Sequence, residues 1–250
     1  MLLVVDIGNT NITLGVYDNS NLLETFRLAS DKELSAEEYG LMFKTILSEF
    51  DITECIIASV VIELNKIIKE VLDAAFNLDS IFLTSNLNLP IKLKLTNPNE
   101  VGADRIANAS GAYKLYSKAL IVVDMGTATT FEVVNNAGEF VGGAIMPGVN
   151  MQFFALNNNT SKLPKIDFDS VEKVIGNNTN DAILSGVIRG SAYAIEGLIN
   201  QLEFELNERV ITIGTGGFCN IIGRYMNRKF DYINPNLTLE GLKIIKDMNN

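Results

Sequence analysis

The stretch Leu120 to Ile145 reads LIVVDMGTATTFEVVNNAGEFVGGAI, and its alternation of apolar runs with turn residues decides the fold. A β-branched run ends in Asp124, passes through Gly126, Thr127, Thr129 and Thr130, and continues into a second apolar run closed by Asn135, Asn136 and Gly138. This predicts a strand, a tight turn, a second strand, a hairpin loop and a third strand. Gly126 lets backbone come close to a ligand, and the threonines surround that point with hydroxyl and N–H groups. The turn reads as a polar nest with the Asp124 carboxylate at its edge.

The pattern occurs a second time at the N-terminus, where Leu2 to Leu28 reads LLVVDIGNTNITLGVYDNSNLLETFRL. Asp6 and Gly8 stand 118 residues before Asp124 and Gly126, and Leu2, Val4 and Val5 have identical partners in Leu120, Val122 and Val123. Each copy also has a turn about a dozen residues further on, at Asp18 to Asn21 and at Asn135 to Gly138. A spacing near half the chain predicts two similar halves, residues 1–117 and 118–250, facing each other across one cleft. The alternative is that any two buried hairpins share such a pattern.

A chain of 250 residues with 47% hydrophobic content can bury a large core, as one large domain or two intimate ones. The opening MLLVVDIGN lacks a basic n-region and is too short to span a membrane, so it reads as a strand in a cytoplasmic, non-membrane protein. The net charge is −10, and the 20 Lys and Arg are scattered without a basic stripe, which argues against a nucleic-acid partner. Cys55 and Cys219 lack metal or redox spacing and read as reduced fillers. The absence of histidine removes Ser-His-Asp and Cys-His catalysis and leaves carboxylates as acid and base groups.

After the first hairpins, Leu41, Met42, Ile46 and Leu47 predict a helix within Leu34 to Phe50, with Asp31 or Ser35 as start signals. A strand at Cys55 to Val61, a helix at Glu63 to Phe76 and a short strand at Ile81 to Leu83 follow, then a connector from Asn86 to Asn99. A helix over about Ala103 to Tyr116 begins at Glu100-Val101-Gly102-Ala103-Asp104-Arg105. Asp104 has two readings there: a first-turn acid favoured by the helix dipole, or a base standing beside the carboxylate-binding fork of Arg105.

In the second half, Met151, Phe153, Phe154 and Leu156 predict an apolar helix, for core packing or for substrate or subunit contact. Asn157 to Phe168 reads as a loop. Asn177, Asn178 and Thr179 cap a long helix over about Asp181 to Leu206, with Gly186, Gly190, Ala194 and Gly197 along one side. That small-residue side suits close helix packing, within the chain or across a dimer axis. Val210 to Ile213 predicts a strand joined by Gly214-Thr215-Gly216-Gly217 to a helix at Asn220 to Met226, and Leu237 to Met248 predicts a final helix.

Two acidic strand turns facing each other suit a nucleotide phosphate cleft. Asp6 and Asp124 can orient metal ions or water on the phosphates, while Gly8, Asn9, Thr10, Asn11 and Thr127 donate hydrogen bonds to phosphate oxygens. The chain has no G-x-x-x-x-G-K-[ST] and no G-x-G-x-x-G, so the common nucleotide folds are not indicated.

These residues resemble the actin-like ATPase superfamily, and within it the type III pantothenate kinases. The motifs are Asp6-Ile7-Gly8-Asn9-Thr10, Asn97 to Arg105, Asp124 to Thr130, Gly142 to Gly148 and Thr215-Gly216-Gly217, spread in order over nearly the whole chain. The resemblance implies an α/β duplicated actin-like (ribonuclease H-like) fold with two mixed-sheet halves around a nucleotide cleft. It implies ATP-dependent phosphorylation of pantothenate, the first step towards coenzyme A, by a homodimer.

The resemblance places ATP, with magnesium or another divalent ion, on Asp6, Ile7, Gly8, Asn9, Thr10, Asn11, Ile12, Thr13 and Thr127. It places a monovalent cation, potassium or ammonium, at Asp124. Pantothenate falls to Gly102, Ala103, Asp104, Arg105 and Thr179, with Asp104 as the base that takes the hydroxyl proton. Leu95 stands where the family often has tyrosine, a departure that removes one hydroxyl from the substrate site. Two other readings stay open: a non-catalytic accessory relative, and an actin-like kinase for another small hydroxy acid. A coupled assay over a panel of hydroxy acids separates them.

Overall fold

The computed structural model describes residues 1–158 and 173–250. By its internal contacts the chain forms two units, Met1–Leu115 with Asn236–Asn250, and Tyr116–Pro235. The expected loop at 157–168 lies outside the described residues from 159 onward.

In the first unit, β1 (Leu2–Ile7), β2 (Asn11–Asp18) and β3 (Asn21–Ala29) form an antiparallel meander. Next come α1 (Ala36–Ile46), β4 (Glu54–Ser59), α2 (Ile62–Phe76), β5 (Ile81–Phe82), β6 (Lys92–Leu93) and α3 (Ala103–Tyr116). β4 adds parallel to β1, and β5 parallel to β4, giving the sheet order β3-β2-β1-β4-β5. The period-two alternation of β1 sends Leu3, Val5 and Ile7 to one face, where Tyr39 and Phe43 of α1 and Leu64, Ile68 and Leu72 of α2 cover them. Ser35 starts α1 with a capping box: its hydroxyl accepts from the Glu38 N–H, and the Glu38 carboxylate accepts the Ser35 N–H at 2.8 Å. The link from β5 to α3 carries the two-residue β6 and a 3₁₀ turn at Pro98–Glu100, neither of which has a periodic pattern to predict it.

The second unit repeats this order. β7 (Leu120–Met125), β8 (Ala128–Val134) and β9 (Glu139–Pro147) form a meander, followed by α4 (Val149–Asn158) and a long helix in two parts, α5 (Thr179–Leu184) and α6 (Gly190–Leu206). A π-helical turn at Ser185–Arg189 joins the two parts. β10 (Ile211–Thr215) adds parallel to β7, then α7 (Cys219–Gly223) and the short β11 (Tyr232–Ile233), which lies parallel to β10. The order β9-β8-β7-β10-β11 matches that of the first unit strand for strand. Even the irregularity between the second and third strands recurs, at Val16/Tyr17 and at Val133/Val134.

Thr179–Leu206 is long and apolar enough to cross a membrane by length and composition. Its Leu184, Val187, Ile188, Ala192, Ile195 and Ile199 instead pack with Ile121, Val123 and Met125, which accounts for that hydropathy as core burial. On α4, Phe153 packs against this core while Met151 and Phe154 are exposed, so plain core packing does not describe the whole stretch.

The sequence pattern assigns the last helix, α8 (Leu237–Met248), to the second half; the structure assigns it to the first unit. Leu239, Leu242 and Ile245 pack with Val4, Ile56, Ala103, Ile106 and Ala107, filling the sheet face opposite α1 and α2. Two glycines permit the approach of α8 to α3. A Cβ on Gly111 would lie 3.0 Å from the Gly241 Cα, and one on Gly241 would lie 2.0 Å from the Ala107 carbonyl oxygen.

Candidate active site

The predicted site residues divide between the units, and each group is built by its own strands. In the first unit Asp6, one residue from the end of β1, is flanked by Thr13 on β2 and Ala58 on β4. The turn after β1 is closed by the Gly8 N–H, which donates to the Asn11 carbonyl at 3.0 Å. Gly8 therefore uses its own N–H inside the turn. Ile7 and Ile12 face each other across the hairpin with fully buried side chains, so their side chains belong to the core. Asn9 and Thr10 are exposed at the tip.

Asp104 occupies the second position of α3, where Gly102 accepts from the Arg105 and Ile106 N–H groups at 3.1 and 3.2 Å. Its Oδ1 accepts the Arg105 N–H at 2.8 Å. Burial pushes the Asp104 carboxyl above the usual aspartate range, more than the Arg105 N–H and the Arg105 charge pull it down. A Cβ at Gly102 would stand 2.5 Å from Asp104 Oδ1, so any other residue there would displace the carboxylate. A first-turn acid that only stabilised its helix would sit in water with a depressed pKa. Asp104 shows the opposite shift, so stabilisation by the helix dipole alone does not describe it.

In the second unit the corresponding turn is one residue shorter: Asp124 pairs with Thr130 where Asp6 pairs with Thr13. Gly126 again closes it, its N–H donating to the Ala128 carbonyl at 3.0 Å, and Thr127 stands at the tip. Two glycines hold this turn from outside. A Cβ on Gly148, just past β9, would meet the Thr127 and Gly126 carbonyl oxygens at 2.2 and 2.5 Å. Gly216 has φ of +86°, and a Cβ there would lie 2.5 Å from Asp124 Oδ1. Both glycines fall within quoted motifs, but their duty as spacers around Asp124 and Thr127 depends on contacts far apart in sequence. The charge of Asp124 and burial together push the Cys219 thiol up to about 11, burial contributing more, which leaves Cys219 protonated. Cys55 is buried and also pushed up, so both cysteines are inert free thiols.

Thr179 is the first residue of α5, whose N-cap is Asn178, the side chain accepting the Asp181 N–H at 2.9 Å. It borders a cavity of about 580 Å³ between α4 and the long helix, lined mainly by Leu156, Ile183 and Val187 with Gln152 at one side. Leu95 lies half-buried just past β6. Near it Ser85, Leu89, Leu93, Pro98 and Asn99 line a second cavity of about 450 Å³. Among the described residues no three carboxylates or thiols converge, and the chain has no histidine, so no all-protein metal cage is formed there. That donor set fits a divalent ion carried on nucleotide phosphates, because magnesium keeps most of its waters and takes one or two carboxylates at most.

The α/β fold with two mixed sheets is shared with solved sugar kinases. Among solved structures, an inorganic polyphosphate/ATP-glucomannokinase from Arthrobacter matches with TM-score 0.52 at 15% identity, over 98% of each chain. A protein from Campylobacter jejuni described as a Baf family transcriptional activator matches with TM-score 0.64 at 21% identity, over 99% of this chain and 98% of that one. At these identities the likeness shows the fold alone. The family is shown by sequence: residues 2–201 match the model of type III pantothenate kinase. A type III pantothenate kinase of Dehalococcoides mccartyi is 39% identical over 99% of this chain and 96% of its own. That of Moorella thermoacetica is 36% identical over the full length of both. The chain belongs to the type III pantothenate kinase family.

Proposed function

We propose that the chain transfers the γ-phosphoryl group of ATP to the hydroxyl of pantothenate, giving 4′-phosphopantothenate and ADP, the first committed chemistry towards coenzyme A. The observation that carries this reading is Asp104, a carboxylate crowded against Gly102 with a raised pKa, inside the family's own motif. As the pantothenate oxygen forms its bond to the γ-phosphorus, the hydroxyl proton passes to Asp104 and ADP leaves with the electrons of the broken P–O bond. A base whose pKa lies nearer neutrality accepts that proton more readily. Phosphoryl transfer has a loose transition state, so the remaining residues chiefly position groups and neutralise charge.

Arg105 binds the pantothenate carboxylate, and Gly102, Ala103, Leu95 and Thr179 complete that pocket. The residues Asp6 to Thr13 and Thr127 take the ATP phosphates, through Asn9, Thr10 and the Asn11 side chain rather than the Gly8 N–H. A divalent ion bound with ATP supplies charge neutralisation on the phosphate oxygens. Asp124 holds a monovalent cation. The protein works as a cytoplasmic homodimer. A coupled ADP-release assay over a panel of hydroxy acids tests the reading: turnover stimulated by pantothenate supports it. Equal stimulation by an unrelated hydroxy acid points to another kinase specificity, and no stimulation by any overturns it.

A further inference from the structure

Just past β3, Ser30 makes two contacts with the turn after β1. Its hydroxyl donates to the Gly8 carbonyl at 2.5 Å, and its backbone N–H donates to the Thr10 carbonyl at 3.0 Å. The second contact extends the β2–β3 ladder by one rung beyond the Asn11 and Ala29 pair. The first is a side-chain bond across 22 residues that no ladder requires. The residue after Ser30 is held by Tyr39 of α1, whose hydroxyl accepts the Asp31 N–H at 2.8 Å and donates to the Asp31 carbonyl at 2.9 Å; the Tyr39 side chain is fully buried.

A trans peptide carries its C=O and N–H on opposite sides, and no peptide bond among the described residues is cis. Fixing the Gly8 carbonyl towards Ser30 therefore directs the Asn9 N–H, which belongs to the same peptide, away from Ser30 and outward from the turn. Without the hydroxyl, this glycine peptide could rotate and turn a carbonyl oxygen, which repels phosphate, to the place of an N–H donor. The second unit reaches the same end differently. Gly148 stands 118 residues after Ser30, as Gly126 stands 118 after Gly8, and there the backbone itself is pressed against the Gly126 carbonyl.

We propose that Ser30 is a positioning residue for nucleotide binding: with Tyr39 behind it, it sets the orientation of the Gly8–Asn9 peptide so that an N–H meets ATP phosphate. The proposal rests on the assignment of ATP phosphates to this turn. The test compares wild type with Ser30→Ala, Ser30→Thr and Tyr39→Phe, measuring steady-state kinetics, calorimetric ATP binding and thermal midpoints. Loss of one hydrogen bond should weaken ATP binding and raise the ATP KM on the order of three- to tenfold in Ser30→Ala. The pantothenate KM should stay put, Ser30→Thr should restore ATP binding, and Tyr39→Phe should move in the same direction as Ser30→Ala. An unchanged ATP KM in Ser30→Ala overturns the proposal, as does a rise in both KM values that simply follows a lowered thermal midpoint. Failure of the underlying assignment shows separately: Asn9→Pro, which removes that N–H, would then leave wild-type ATP affinity in a folded protein, and the proposal would fall with it.

Discussion

At the scale of single residues, Asp104 carries opposite consequences for activity and stability. Its pKa is raised on folding, so its stabilising contribution is full below the ordinary aspartate value of about 3.9 and is lost as pH rises through the folded value. At neutral pH the folded protein therefore holds a carboxylate that would be better solvated in the unfolded chain. Asp104→Asn should lower kcat on the order of 10² to 10⁴-fold and at the same time raise the thermal midpoint at pH 7. That gain over wild type should shrink as pH falls towards 4. A variant with near wild-type kcat removes the base assignment, and one less stable than wild type at pH 7 removes the burial argument. Asp124 gives a second residue-scale expectation: with sodium in place of potassium at equal ionic strength, turnover falls or the ATP requirement rises. Equal rates in the two salts leave Asp124 as an orienting group for phosphates alone. These aspartates stand out in the sequence through the D-x-G turns and the G-A-D-R segment. What was not legible is which N–H groups the turns keep for themselves, as at Gly8, because that depends on the closure of each hairpin rather than on residue type.

Among the elements, α3 and α8 match their expected bounds, α8 through its apolar period, and the two meanders follow from alternation and turn residues. The two-residue β6 and β11 were not readable, since so short a strand has no period and exists only through its neighbours. The long helix Thr179–Leu206 is the element whose sequence left two readings open. A Cβ added to Gly186, Gly190 or Gly197 meets nothing within 4 Å among the described residues, so these glycines are not needed for packing there. Gly190→Leu should then leave the fold intact, and should stabilise the helix by up to about 1 kcal/mol, because glycine is a poor helix former. If this face joins two subunits, the same change should weaken association: light scattering at micromolar concentration should move from about twice 27.4 kDa towards the single-chain mass. An undiminished dimer places the contact elsewhere, and the exposed Met151 and Phe154 on α4 are then the next residues to replace.

For the whole molecule, the duplication was visible in the 118-residue offset of the two aspartate turns, and the structure extends it to strand order and to matching irregularities in the hairpins. The assignment of α8 was not visible. An amphipathic helix at the end of the chain carries no mark of which sheet it covers, and only the packing of Leu239, Leu242 and Ile245 against Val4 and Ile56 decides it. Leu242 is fully buried in that layer, so Leu242→Ala should cost about 2 to 5 kcal/mol of stability, measured by urea denaturation. A loss under about 1 kcal/mol would mean that α8 contributes little to the first unit.

The return of α8 to the first unit also orders events during synthesis. Residues 116–235 form one uninterrupted unit, whereas the unit that contains residue 1 has its last fifteen residues, 236–250, at the far end of the chain. A chain emerging from the ribosome N-terminus first can complete the second unit while the sheet of the first still lacks one of its covering helices. The unit whose first strands are made earlier is the unit that is completed later. Released chains truncated after residue 235 should leave Val4, Ile56 and Ala58 open to chaperones while the core around Val123 and Ile195 is already closed to proteolysis.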